Sequence, residues 1–279
     1  MHPRVARLVA HFESQRDFFE GARLYRQRYG HRISAILREE GLPPELAHLP
    51  LIESAFSPHA VSPAGAVGLW QLVAGTGRRY GLRIDRYVDE RRDPVKSTRA
   101  AAKYLKDLHA MFGDWHLSLA AYNSGEHAIA QLLVRHPSFT YWDLRQRGYL
   151  CAETADFVPK FLAAAQIAES PEAHGFSAVT EEPLRYDIVR VKRSLSLATV
   201  AVLSGTSAST IKELNPALHR GIVPPRGYAL RVPKGAKRAF RTAYAALDRP
   251  IPPRRRTHGV TVGRLAEAQA PTRSAHRGG

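Results

Sequence analysis

The chain has 279 residues, 44% of them hydrophobic and 24% charged, enough for one large domain or two smaller ones. Its net charge of +16 favours anionic partners such as nucleic acid, membrane surfaces or acidic cell-wall polymers, but no zinc-finger spacing or RNP-type motif accompanies it. A lone cysteine, Cys151, excludes an intrachain disulfide framework, and no run of about 18 apolar residues reads as a membrane-spanning helix.

The opening MHPRVARLVAHFESQRDFFEG has neither a sustained apolar core nor a small-residue cleavage site, so it does not read as a signal peptide. Either the protein is cytoplasmic or a leader lies upstream of Met1. Residues 1–41 read as two amphipathic helices with a packing role. Val5, Leu8, Val9 and Phe12 form one stripe; Ile33, Ile36 and Leu37 form another, ended near Gly41.

Residues 46–77, LAHLPLIESAFSPHAVSPAGAVGLWQLVAGTG, hold a single charged side chain, Glu53. A solitary carboxyl in an apolar run keeps its proton to higher pH, which is what a general acid needs. Pro44 suits the first position of a helix, and Leu46, Leu49 and Glu53 then share one face. Pro50 should kink or end that helix, leaving Glu53 at a distorted end that can open onto a cleft. Most isolated glutamates are surface residues, and the missing neighbouring charge is what argues otherwise here.

Residues 78–93 are rich in charge and are expected outside the cleft. Asp93-Pro94 starts the next helix, whose Ala101, Tyr104, Leu105, Leu108, Met111 and Phe112 trace a core stripe up to Gly113. A second uncharged island, WHLSLAAYNSG at 115–125, reads as a buried helix that breaks at Gly125. Tyr122 and Asn123 stand at its end, where Asn123 either caps the helix or meets a ligand. Glu153 precedes an apolar helical run (Val158, Phe161, Leu162, Ala165, Ala168), and the helix dipole alone accounts for its place.

Residues 170–183 are rich in Ser, Pro, Gly and Glu and read as a linker. Beyond them the pattern is strand (Ile188 to Val191), helix (Leu197 to Leu203), a turn at Gly205, helix (Thr210 to Leu214), a stop at Asn215-Pro216, and strand (Tyr228 to Val232). A further helix is expected through Phe240, Tyr244 and Leu247. The tail from Arg249, with its Arg254-Arg255-Arg256 cluster, has the composition of a disordered segment.

In this order, Glu53-Ser54 within LPLIESAFSPHAVSPAGAVGLWQ, Gly68 to Gln71, GTGRRYGL, Ala120 to Gly125, and Glu153-Thr154 before VPKFLAA resemble the soluble-lytic-transglycosylase-type catalytic domain of cell-wall enzymes, in particular the membrane-bound lytic transglycosylase D subgroup. Residues 186–233 resemble a divergent LysM module. Its usual Gly-Asp-Thr-Leu is replaced here by Arg193-Ser194-Leu195-Ser196-Leu197, a departure that bears on glycan affinity.

The resemblance implies a mainly α, lysozyme-like catalytic domain over residues 1–170, a linker at 171–185, a small α+β (βααβ, LysM-like) glycan-binding domain at 186–248, and a basic Pro/Arg-rich tail at 249–279. It implies non-hydrolytic cleavage of the β-1,4 bond between N-acetylmuramic acid and N-acetylglucosamine, with 1,6-anhydro-muramoyl products. Glu53 would be the single acid and base, and Ser54 would orient it or the substrate. Gln71, Tyr122 and Asn123 would hold the saccharide, Trp70 would form an apolar wall, and Glu153 would contact sugar. The family's usual tyrosine in the fourth motif is Phe157 here, and Tyr122 is the candidate to supply the missing hydroxyl.

The expected partners are peptidoglycan glycan strands in the periplasm or cell envelope, met by a monomer without cofactor, metal or nucleic acid. A goose-type lysozyme-like hydrolase is the first rival, with Asp85 or Asp89 as second carboxylate. A non-catalytic peptidoglycan-binding protein is the second.

Overall fold

The computed structural model describes residues 2–177 and 184–247. The tail expected to be disordered and part of the expected linker therefore lie outside the described residues.

The first helices are α1 (Pro3–Ser14) and α2 (Arg16–Glu39), burying the stripes read from the sequence. A 3-10 turn at Pro44–His48 leads into the short α3 (Leu49–Ser54). Pro50 breaks nothing, because it sits in the first turn of α3, where no amide donor is required. Next come α4 (Ala74–Arg79), α5 (Pro94–Phe112) and α6 (Trp115–Ser124). The Asp93 carboxylate accepts from the amides of Val95 and Lys96, both at 3.0 Å, and caps α5; Gly113, at φ +68°, ends it. Met111, expected in the core stripe, is 54% exposed, because the packed face has turned away from it at the last turn.

Helix α6 explains the second uncharged island. It is packed against α5, α9 (Ala152–Glu169) and α7 (Glu126–Arg135), so Leu117 to Ala121 are all buried and no polar face is possible. Between α7 and α9 lies α8 (Tyr141–Gln146), closed by a capping box between Thr140 and Asp143. Helix α9 contains Pro159, which has no amide to give to the carbonyl of Ala155. The Tyr141 hydroxyl (2.8 Å) and Arg145 Nε (2.7 Å) donate to that carbonyl instead, so the interior proline leaves no polar group orphaned.

The second unit follows the expected order: β1 (Tyr186–Val191), α10 (Leu197–Leu203), α11 (Ala208–Leu214), β2 (Tyr228–Pro233) and α12 (Lys237–Ala246). The strands pair antiparallel with Val189 opposite Leu230, and Val189, Val191, Leu230 and Val232 turn inward to a core of their own. Asn215 does more than stop a helix: its amide donates to the carbonyls of Ile211 and Arg231, both at 2.8 Å, and accepts from the Arg231 amide at 2.9 Å.

The charged stretch 78–93 lies outside the cleft described below, but its second half is buried rather than solvated. Asp89, Glu90, Arg91 and Asp93 are each at most 7% exposed. They are affordable there because each is paired. Arg91 bonds Asp89 (2.8 Å) and donates to the carbonyls of Gly65 (2.9 Å) and Leu72 (3.1 Å), fastening the loop after α3. Asp93 meets Arg231 at 2.8 Å, and Glu90 accepts from Lys96 and from the Tyr228 hydroxyl. Val88, fully buried, belongs to the core of the second unit, so the two units share a joint as well as a chain.

Candidate active site

A cleft of about 520 Å³ opens where α3, the loop after it, α6 and α9 meet. Glu53, Gln71, Tyr122, Asn123 and Glu153 all line it, so five side chains from four separate segments are brought together. Ile52, Ala64 and Phe157 supply apolar wall.

Glu53 stands at the C-terminal end of α3, and the chain reverses immediately after it. Ala55 (φ +51°) and Phe56 (φ +60°) adopt left-handed conformations that side chains other than glycine's disfavour, and so does Gln71 (φ +44°). Each costs on the order of 1 kcal/mol, and all three flank the acid. Among the described residues, no group donates a hydrogen bond to the Glu53 carboxyl. Burial pushes its pKa up to about 8, with the negative charge of Glu153 as the second cause. Glu53 therefore holds its proton at neutral pH.

Glu153 is itself positioned. The Asn123 amide donates to it at 3.1 Å, and the Asn123 carbonyl accepts from the Thr154 hydroxyl at 2.8 Å. Asn123 thus neither caps its own helix nor points free; it links the end of α6 to the start of α9. Tyr122 donates its hydroxyl to the backbone carbonyl of Trp70 at 2.6 Å. Burial first and the nearby Glu53 second hold that phenol well above its ordinary pKa, so it stays a neutral donor.

Two of the residues singled out in the sequence are not in the cleft wall. Trp70 is wholly buried, with its indole nitrogen donating to Thr98 Oγ1 at 2.9 Å. A large ring one position before a chain reversal found the core, while Gln71 turned to the cleft. Ser54 is also directed away: its hydroxyl donates to the carbonyls of Leu69 (2.9 Å) and Pro50 (3.3 Å). Ser54, Trp70 and Tyr122 together clamp the turn 68–71. Gly68 is needed there, since at φ +83° a Cβ would lie 2.0 Å from the carbonyl oxygen of Arg91.

Sequence reasoning missed Tyr104, Glu126 and Lys160, which also line the cleft. The Tyr104 hydroxyl donates to Glu126 at 3.0 Å, and Arg79 pairs with the same carboxylate at 2.8 Å. Hydrogen bonds from its own amide and from these two groups lower the pKa of Glu126 despite partial burial, so it serves as an anion opposite a neutral acid. Its place directly after Asn123-Ser124-Gly125 was the available signal. Asp85 and Asp89 do not line the cleft, and Asp89 is already committed to Arg91.

Residues 32–143 match the transglycosylase SLT domain family, and residues 185–249 match the LysM-like domain of lytic transglycosylase MltD. The chain is 37% identical over 206 residues to membrane-bound lytic murein transglycosylase D of Escherichia coli K12, covering 72% of this chain and 45% of that one. It is 39% identical over 106 residues to a putative tributyltin chloride resistance protein of Alteromonas sp. strain M-1, covering 38% of this chain and 51% of that one. The chain thus spans about half the length of these curated relatives. Among solved structures it is similar to the 70-kDa soluble lytic transglycosylase of Escherichia coli, at 20% identity and a TM-score of 0.45 over 62% of this chain and 32% of that one. By these sequence matches residues 32–143 form a transglycosylase SLT domain, followed at residues 185–249 by a LysM-like domain of the MltD type.

Proposed function

We propose that the chain is a peptidoglycan lytic transglycosylase that cleaves the β-1,4 bond between N-acetylmuramic acid and N-acetylglucosamine without water, leaving a 1,6-anhydro-muramoyl end. The observation that carries this reading is one of the three cleft-lining glutamates, Glu53, kept protonated to about pH 8 by burial and by Glu153.

Glu53 gives its proton to the leaving glycosidic oxygen. The muramic N-acetyl group stabilises the positive charge at C1. Ionised Glu53 then takes the proton of the same sugar's C6 hydroxyl, whose oxygen closes onto C1. The nucleophile is already tethered, and well-oriented intramolecular attack is worth roughly 7 to 11 kcal/mol. Gln71 and Tyr122 face the saccharide. Asn123 acts through Glu153, whose charge keeps the acid loaded between turnovers. Phe157 contributes apolar wall where the family has a hydroxyl, and Tyr122, already donating to Trp70, keeps an oxygen lone pair for the substrate side. Residues 1–170 form the catalytic domain in this reading, 171–185 the linker and 186–248 the glycan-holding module. The substrate places the protein in the cell envelope, as the name of its Escherichia coli relative suggests.

Hydrolysis on the same fold is the second reading, favoured by Glu153 and Glu126, two further carboxyls on the cleft. Mass spectrometry of products from purified sacculi separates the two. Anhydro ends are expected; reducing ends carrying the mass of water establish a hydrolase. Glu53→Gln should abolish release of soluble muropeptides while sacculus binding persists, and release at the parent rate refutes the assignment.

A further inference from the structure

A second groove, of about 470 Å³, lies between the two units. The SLT domain contributes His59 and Arg92, and the LysM-like domain contributes Lys212, His219 and Arg220. Among the described residues no acidic side chain lines it, and none of its three permanent cations makes an ion pair. Nearby, Arg91, Lys96 and Arg231 each hold a carboxylate. Arg92 turns one guanidinium nitrogen to the carbonyl of His59 at 3.2 Å, and its buried Nε has no partner. Burial and the charge of Arg92 hold the His59 imidazole towards its neutral form, as expected where positive charge is concentrated without compensation.

The position adds to the chemistry. His59 stands on the loop whose other side carries Ser62, Ala64 and Ala66 into the Glu53 cleft. The joint formed by Val88, Asp93 and Arg231 fixes the LysM-like domain against that loop. The loop that walls the Glu53 cleft thus also walls an unneutralised basic groove.

We propose that this groove is a carboxylate-binding subsite for the acidic peptide stems of a glycan strand whose sugars occupy the Glu53 cleft. The assignment rests on the peptidoglycan reading above. It gives the LysM-like domain a part in substrate selection together with the SLT domain: Arg92 supplies a half-buried guanidinium from the SLT side, and Lys212 and Arg220 supply exposed charge.

The test uses the full chain carrying Glu53→Gln, so that substrate is bound without being consumed. Co-sedimentation is measured with native insoluble peptidoglycan and with the same material stripped of its stems by an amidase. Native material should bind about tenfold tighter, as expected from a few partly exposed charge pairs, and 0.5 M salt should erase the difference. Adding Lys212→Ala and Arg220→Ala should lower affinity for native material to the level of stripped material. Both side chains are exposed, so an unchanged melting temperature is expected and serves as the folding control. A soluble stem tripeptide should displace native material at lower concentration than inorganic phosphate. Equal binding of the two materials, an undiminished preference in the double variant, or phosphate as the better competitor overturns the proposal. Failure of the wild-type chain to cleave either material, with the native preference intact, would instead sink the lyase reading and leave the groove standing.

Discussion

The hydroxyl of Tyr122 and the backbone carbonyl of Trp70 meet at 2.6 Å, joining the end of α6 to the turn that carries Gln71. This bond seals the cleft at its base, since Trp70 itself is directed into the core. Tyr122→Phe removes the donor and leaves a carbonyl without a partner in a buried setting, at a cost of about 1–3 kcal/mol. A lowered melting temperature and reduced turnover are expected together; unchanged stability would mean that the carbonyl finds water.

Glu153 raises the pKa of Glu53 by its charge, secondary to burial. In the proposed reaction turnover needs protonated Glu53, so the rate should fall as pH rises through about 8. Glu153→Gln keeps an acceptor for Asn123 but removes the charge. The alkaline limb of the pH–rate profile should then move to lower pH while staying above the ordinary carboxylate range, because burial remains. A limb that does not move would show that the two carboxyls do not interact.

The same group makes stability pH-dependent. The Glu53 pKa is about 8 in the fold against 4.5 in the unfolded chain, so between those values the native state binds the extra proton. Stability contributed by this group is complete below pH 4.5 and is lost as pH rises through 8, at up to ~1.4 kcal/mol per pH unit. Glu53→Gln cannot ionise. Its melting temperature should exceed that of the parent increasingly across this window, as read by thermal unfolding at several pH values. A constant difference would place the carboxyl in water.

Gly68→Ala should be among the costliest single-methyl changes in the chain. The added Cβ falls 2.0 Å from the Arg91 carbonyl, on backbone that Asp89 and Arg91 hold from within the core. Strain in φ and the clash together should cost at least about 3 kcal/mol. Chemical denaturation reads this directly, and Gly65→Ala, with open space around it, controls for the positive φ alone.

The second uncharged island was legible because burial on every side forbids charge along Leu117 to Ala121. Helix α6 has no solvent face, and its island ends where Asn123 reaches Glu153. The βααβ order of the second unit was equally plain, since Val189, Val191, Leu230 and Val232 alternate as strands with one buried face must. Charge left one feature unread: Asp89, Glu90, Arg91 and Asp93, expected only to lie outside the cleft, are buried at the joint between the units, because pairing permits what isolated burial would not.

The sequence by itself determined which residues could not bear solvent, and hence that Glu53 is an acid among apolar neighbours and that two cores follow one another along the chain. Only the tertiary structure decided which way the side chains next to the cleft face. A turn with Gln71 at φ +44° sends Gln71 to the cleft and the preceding indole to the core, and Ser54 bonds the same turn. Such directions depend on backbone reversals and on partners many residues away, such as Tyr122 for Trp70 and Asn123 for Glu153, and no local pattern encodes them.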